Sequence, residues 1–453
     1  MKTVKFYTLG CKVNQYDTQN LRERFEEAGF KEAEVGRQVD VCVVNTCTVT
    51  HRADADSLNI IRKAKRFNPK ARIIVTGCLA EFDKRRIKDA GADLIVENSK
   101  KDNFLEFLRL RNNEFNDINE HNEINERVSL EVHKGISYFK NHTRAFLKIQ
   151  DGCDNLCSYC KVPLVRGASR SKPLEDIIQE AGRLVAGGYK EIVLCGICLG
   201  AYGKNLKTKI SLVQVIEALE KKEDLTFIRL SSIELNDITD SLLSLLRRSR
   251  KLCPHLHIPL QSGDDAILEK MNRRYTAGHF LDKVLNIKKD VPGIAITTDV
   301  LVGFPTETEE HFKNTLRVIR KISPLKVHVF PYSYREGTRA FATWGVRIEH
   351  DIMNRRIAQI RALAQECSRS YLMSFVNKTM DVLIERRWKQ NPDFWMGRTP
   401  NYMEVLVKSK LDLEKRLIRL KLKKGPDHLF LIGINLSLAK KEIRKKEAFL
   451  AID

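Results

Sequence analysis

Nowhere in its 453 residues does the chain carry an apolar run near 18 residues, which excludes a membrane-spanning helix of ordinary length. The basic and apolar regions of a secretory signal are missing too. Their absence predicts a reducing, cytoplasmic setting in which the 11 cysteines are free to bind metal, with no disulfide framework and no membrane partner. Acidic side chains are scarce beside basic ones, 58 Asp and Glu against 79 Lys and Arg, for a net charge of +21. So basic a chain favours polyanionic partners such as RNA, through release of their counterions. Apolar residues, at 43%, are plentiful enough for real cores, and the length predicts about three domains.

The densest chemistry lies in Asp151-Gly152-Cys153-Asp154-Asn155-Leu156-Cys157-Ser158-Tyr159-Cys160, a Cys-x3-Cys-x2-Cys run just after the alternating apolar residues Ala145, Leu147 and Ile149. Three soft thiolates within eight residues wrap three corners of an iron-sulfur cube, leaving its fourth iron open to a small chelating ligand such as the amino and carboxylate groups of S-adenosylmethionine (SAM). The plainer alternatives are zinc or buried core cysteines. Structural zinc takes four N/S ligands, and no Cys-x2-Cys or His-x3-His partner lies at a useful distance downstream. Cys195 and Cys198 share Cys-x2-Cys spacing but lack a second pair, so they read as free thiols; Cys253 and Cys367 have no partners by spacing.

Residues 1–110 alternate strand and helix patterns. Strand-like runs at 4–8, 41–44 and 73–75 lead into Gly10-Cys11, Asn45-Thr46-Cys47 and Thr76-Gly77-Cys78, with helices expected at 17–28, 52–67 and 81–90. This order implies an open parallel sheet, whose sites lie beyond the carboxyl ends of its strands. Cys11, Cys47 and Cys78 each follow a strand end, and so are expected to converge as a second three-thiol site. Cys42 falls inside a strand and reads as a small buried hydrophobe. Residues 111–142, rich in Asn and acids around 111–126, read as a linker containing His121 and His142, to which no role is assigned.

Residues 143–370 carry strand-like runs ending near Ile149, Leu194, Leu230, Leu260, Val302 and Phe330, with helical patterns at 174–186, 211–220 and 308–321 and a helical connector at 349–373. Six βα units imply an open, partial (βα)6 barrel with its functional residues at the carboxyl ends of the strands. By that rule Ser232, Glu234, Gln261 and Asp299 are candidate cofactor contacts, and Tyr159, Gly187 and Gly188 resemble the aromatic and small residues with which radical SAM proteins meet the adenine and the methionine amine. Residues 371–453 carry four short strands, at 379–386, 402–407, 416–422 and 428–434, broken by Asn391-Pro392-Asp393 and Gly425-Pro426. They are expected to form a small antiparallel β-barrel, with Trp388, Phe394, Trp395 and Tyr402 placed to stack on bases or to fill the barrel's core. The fold class is therefore α/β with a small β-barrel at the carboxyl end.

With both cysteine sets in view, the chain resembles the radical SAM methylthiotransferase family. The likeness runs nearly end to end, through Thr8-Leu9-Gly10-Cys11-Lys12-Val13-Asn14-Gln15, Asn45-Thr46-Cys47-Thr48-Val49-Thr50, Thr76-Gly77-Cys78, the Cys153 loop and His257-Ile258-Pro259-Leu260-Gln261-Ser262-Gly263. The resemblance implies a TRAM-like carboxyl-terminal barrel. It also implies two [4Fe-4S] clusters, one on Cys153, Cys157 and Cys160 that cleaves SAM to a 5′-deoxyadenosyl radical, the other on Cys11, Cys47 and Cys78 that carries the sulfur. Arg52-Ala53-Asp54 and Thr399-Pro400-Asn401-Tyr402 are similar to the branch that modifies carbon 2 of N6-threonylcarbamoyladenosine beside a tRNA anticodon. Relatives acting on isopentenyladenosine or on a ribosomal-protein aspartate are the near alternatives, and a non-catalytic iron-sulfur RNA-binding protein the distant one. The implied partners are tRNA, a sulfur source and an electron donor such as flavodoxin or ferredoxin. Two departures from the family pattern stand out: Cys198 occupies a place where Asn is expected, and the basic segment after Asn435 differs from the usual barrel ending.

Overall fold

A computed structural model describes residues 2–34, 36–104, 135–345, 348–425 and 430–434. The Asn-rich run at 111–126, with His121, and the basic residues after Asn435 lie outside them.

The first unit is a five-stranded parallel sheet, ordered β2-β1-β3-β4-β5, from β1 (Thr3–Thr8), β2 (Lys31–Glu32), β3 (Val41–Thr46), β4 (Arg72–Gly77) and β5 (Leu94–Ile95). Central β3 is buried at all six positions, as a Val-rich strand covered on both faces requires. Helix α1 (Lys12–Glu27) begins directly after Cys11, five residues before the expected start. Its first turns bury Asn14, Asp17 and Gln19, polar residues that an apolar periodicity does not detect. Helix α2 (His51–Phe67) starts on Thr50, whose side chain accepts from Ala53 N. The single helix expected at 81–90 is two, α3 (Cys78–Phe82) and α4 (Lys84–Asp89), because Asp83 leaves helical geometry and caps α4.

The central unit opens with β6 (Ala145–Lys148), β7 (Gln150–Asp151), α5 (Val162–Arg166), β8 (Arg170–Ser171), α6 (Leu174–Ala186), β9 (Glu191–Cys195) and α7 (Leu212–Glu220). It continues through β10 (Phe227–Leu230), α8 (Asp240–Arg248), β11 (His255–His257), α9 (Asp265–Lys270), α10 (Ala277–Asp290), β12 (Ala295–Val302), α11 (Glu309–Ile322) and β13 (Lys326–Pro331). Six strands form two parallel sheets, β10-β9-β6 and β11-β12-β13, linked by the isolated bridge Ser232↔His257. This is the partial barrel. Strand β11 ends at His257 rather than near Leu260, since Pro259 lacks an N–H for the ladder. Residues 135–142, the end of the segment read as a linker, are packed: Ile136 and Phe139 are buried in the main core, and Ser137 donates to Glu23 on α1 at 2.8 Å.

After α12 (Arg339–Thr343) and α13 (His350–Met373), the strands β14 (Thr379–Arg387), β15 (Phe394–Arg398), β16 (Glu404–Lys408), β17 (Leu417–Lys424) and β18 (Leu431–Ile434) close a five-stranded barrel. The sequence expectation missed β15, which hides between the Asn391-Pro392 turn and Thr399-Pro400. Closure is not wholly antiparallel, as β16 pairs with β18 in parallel. Among the four aromatics, Trp395 is buried and donates to Leu411 O at 3.0 Å, so it fills the barrel rather than facing bases. Tyr402 stacks on His255, with ring centroids 4.3 Å apart.

Candidate functional site

The Cys153 loop leaves the barrel at the carboxyl end of β6, and Gly152 (φ 72°) makes its path possible. A Cβ there would lie 2.0 Å from Ala168 O, so only glycine fits. Each sulfur of the loop has an N–H donor at 3.4 Å: Asn155 N for Cys153, Val162 N for Cys160 and Arg273 Nη1 for Cys157. Such donors stabilise thiolates. Among the described residues, these three sulfurs do not all lie within 4.8 Å of one another, whereas a tetrahedral zinc with bonds of about 2.3 Å would draw its sulfurs to about 3.8 Å. The donor set therefore fits a cube better than one ion. A hydrogen bond from Cys198 lowers the Cys153 thiol to about 7 despite burial, while burial pushes Cys160 up to about 12.

Beside the loop is a cavity of about 200 Å³ lined in part by Asn155, Cys157, Cys198, Glu234, Asp237 and Arg273. Glu234 pairs with Arg273, which in turn reaches Cys157, so the carboxylate, the guanidinium and the thiol form one chain. The Cys198 thiol lies against Cys153 and accepts from Asn155 Nδ2 at 3.6 Å. Ser232 sits on the bridge between the two sheets, Gln261 adopts φ 63° beside β12, and Asp299 pairs with His257 at 3.1 Å. Tyr159 packs against the apolar cluster of Phe304 and Tyr332. Gly187 and Gly188 stand apart. They end α6 and lead into the amino end of β9, the rim opposite the cysteine loop, because a helix-to-strand turn in such a barrel lies at the amino ends of the strands.

Cys11, Cys47 and Cys78 lie at the carboxyl ends of adjacent strands β1, β3 and β4. A Cβ on Gly10 would be 2.9 Å from Cys47 Sγ, and one on Gly77 (φ 95°) would be 2.4 Å from Thr46 O. Burial pushes Cys47 up to about 12 and raises Cys78 as well, where Arg166 and Lys101 oppose it. Arg166, at the end of α5, is buried between this trio and the Cys153 loop. It donates to Asp151 at 2.8 and 3.0 Å and to Asn14, and lies 3.5 Å from Asp17. Lys101 and Lys148 complete this cluster on Asp17, at 2.9 and 2.5 Å. Burial works against the charge of Asp17, yet the three cations hold it far below the usual carboxylate range. Sequence reasoning missed Arg166 and Arg273, since a lone arginine in a basic chain carries no spacing signal.

A partial (βα)6 barrel with a three-cysteine loop after its first strand defines a radical SAM protein, a class whose members use SAM and a [4Fe-4S] cluster. The chain matches the family described as Radical SAM superfamily over residues 147–319, and Uncharacterized protein family UPF0004 over residues 3–97. It is 39% identical over 430 residues to the threonylcarbamoyladenosine tRNA methylthiotransferase MtaB of Bacillus subtilis (strain 168), covering 94% of each chain. It is 33% identical to the tRNA-2-methylthio-N(6)-dimethylallyladenosine synthase of Clostridium botulinum (strain Okra / Type B1), over 86% of this chain and 88% of the other. The chain belongs to the radical SAM methylthiotransferase family. The structure of the radical S-adenosylmethionine methyltransferase TsrM from Kitasatospora setae shares its fold, with a TM-score of 0.54 at 12% identity over 75% of this chain and 74% of that one.

Proposed function

We propose that this protein inserts a methylthio group at carbon 2 of N6-threonylcarbamoyladenosine beside the anticodon of a cytoplasmic tRNA. The observation that carries the reading is the presence of two three-thiol sites, with Arg166 buried between Cys78 of one and Asp151, two residues before Cys153, of the other. A radical SAM protein needs only one such site; transfer of sulfur calls for a second. Cys153, Cys157 and Cys160 would hold the SAM-binding [4Fe-4S] cluster, and Cys11, Cys47 and Cys78 a second one. When bound, the clusters supply one-electron cleavage of SAM on one side and the sulfur to be transferred on the other. The chain's own side chains set the geometry: Arg273 donates to Cys157 and fixes Glu234 beside it, and Arg166 ties α5 to α1. Ser232, Gln261 and Asp299 would line the pocket for SAM and substrate at the carboxyl rim.

The larger identity to the threonylcarbamoyl-type relative than to the dimethylallyl-type one favours the first substrate. RNA contact agrees with the exposed cations of α2 and α4, among them Arg52, Lys63, Arg66, Lys84 and Arg85. An electron donor such as flavodoxin or ferredoxin and a source of sulfur complete the reaction. Mass spectrometry of nucleosides from tRNA of cells with and without the gene tests this reading. Loss of the 2-methylthio form of threonylcarbamoyladenosine alone is the expected result. Loss of the isopentenyl form would move the substrate, and no change in either would favour a ribosomal-protein substrate or a non-catalytic binder.

A further inference from the structure

A polar cluster inside the barrel has no part in holding either thiol site. His257, Asp299 and His328, on neighbouring strands β11, β12 and β13, bring one ligand atom each within 4.8 Å of one another. Below them Thr297 Oγ1 lies 2.9 Å from His257 Nδ1 and 3.0 Å from His255 Nε2. Its single proton serves one ring, and it accepts from the other. His255 is 4% exposed, and its Nδ1 has no partner among the described residues; nor does the buried Ser231 Oγ, which shares a strand face with Arg229. Buried polar atoms are seldom left unpaired in a native protein. Two in one interior point to a ligand.

Two His and one Asp would also suit a divalent cation. Against that stand two exposed lysines, Lys12 at the start of α1 and Lys326 at the start of β13, neither of which has a carboxylate within ion-pair distance among the described residues. Two cations without a carboxylate partner favour an anion at the mouth of the cluster. The position of Lys12 follows from α1: Val13 and Tyr16 are buried in the barrel's core, and Asp17 holds Lys148 of β6 at 2.5 Å. The start of α1 therefore overhangs the barrel mouth, with Lys12 exposed at its first position.

We propose that Lys12, with Ser231, His257, Asp299 and His328 beneath it, forms the pocket that reads the side group of the substrate base. Lys12 holds the threonyl carboxylate, and the His and Asp side chains take the hydroxyl and urea groups. The inference rests on the proposed function and adds what selects the substrate. A threonylcarbamoyl group carries a negative charge and a dimethylallyl group carries none, so a cation one residue from Cys11 separates the two at the point where sulfur is expected.

The test is the affinity of the anaerobically reconstituted full-length protein for an anticodon stem-loop bearing threonylcarbamoyladenosine, against the same RNA with plain adenosine. Wild-type protein should bind the modified RNA about tenfold more tightly, as expected for one charge-assisted contact. Lys12→Gln, at matched iron content, should bring that ratio close to one, Lys12→Arg should restore it, and His328→Gln should reduce it. Persistence of the ratio in Lys12→Gln would overturn the pocket and leave the proposed function standing. A wild-type protein that instead prefers a stem-loop with dimethylallyladenosine would overturn both.

Discussion

Arg166 is the side chain that joins the two thiol sites, and its removal should be felt at both. It is buried, with Asp17, Asp151 and Asn14 around one guanidinium. Arg166→Met leaves a buried carboxylate pair with two lysines in place of three cations, and loss of such a partner costs about 3 kcal/mol. Chemical denaturation of the iron-free protein should show a loss of that size. A second expectation concerns His255, whose pKa is driven well below its usual value by burial, with Arg229 next in effect. A histidine whose folded pKa is depressed contributes stability that is complete above the unfolded value of about 6.5 and shrinks as pH falls below it. Stability should therefore drop between about pH 6.5 and pH 5, by at most about 1.4 kcal/mol per pH unit from this one group, and His255→Asn should flatten that slope in denaturant titrations. These roles were not legible in the sequence. Cysteine chemistry shows in spacing because the metal demands one residue type, whereas Arg166 and His255 acquire meaning only from partners that no local spacing marks, Asn14 and Asp17 for the one, Thr297 and Tyr402 for the other.

Crossings between strand ends and helix starts shape the amino-terminal thiol site. Gly77 joins β4 to α3 in a left-handed conformation, and a side chain there would collide with the backbone of Thr46 at the end of β3. Gly77→Ala should displace Cys78 from Cys47 while leaving the Cys153 loop intact. Iron analysis after reconstitution should then give about half the wild-type content if each site holds one cube of equal size, and Gly152→Ala should remove the other half. Full iron in Gly77→Ala would count against a cluster on Cys11, Cys47 and Cys78. Sequence periodicity located such elements well where one face is apolar: α6 spans the expected residues, and α7, α11 and α13 fall within one residue at each end. It failed where function or closure intrudes. The first turns of α1 are buried but polar, Asp83 splits a helix, and β15 is five residues between two Pro-containing turns. The rim holding Gly187 and Gly188 was misjudged because small residues at a helix end look alike whichever rim they occupy.

The three units are locked together by buried cations rather than strung on linkers. Arg335, four residues past β13 in the run that leads to α12, donates to Thr48 O and Oγ1 at 2.9 and 2.8 Å and pairs with Asp54 at 2.8 Å, tying the first sheet to the barrel. Arg229, on β10, pairs with Glu191 at 2.6 Å and donates to Pro400 O at 2.7 Å, while the Tyr402 ring stacks on His255. The Thr399–Tyr402 turn thus plugs the barrel at the level of Glu191, Arg229 and His255, and the small β-barrel is fixed beneath the polar interior instead of swinging free. If these contacts carry the docking, Arg229→Met should separate the units without unfolding them, since Glu191 keeps Arg144 at 3.5 Å and the small barrel retains its own core. Calorimetry of the wild-type protein should show the small barrel melting with the central unit, and the variant should show an earlier, smaller transition with iron content preserved. A single transition in Arg229→Met, shifted as a whole, would mean that the remaining contacts, Arg144 with Glu385 at 2.9 Å, Tyr371 with Gly293 O at 2.7 Å and the packing of Phe375 against Ala295 and Leu325, hold the barrel in place without the arginine.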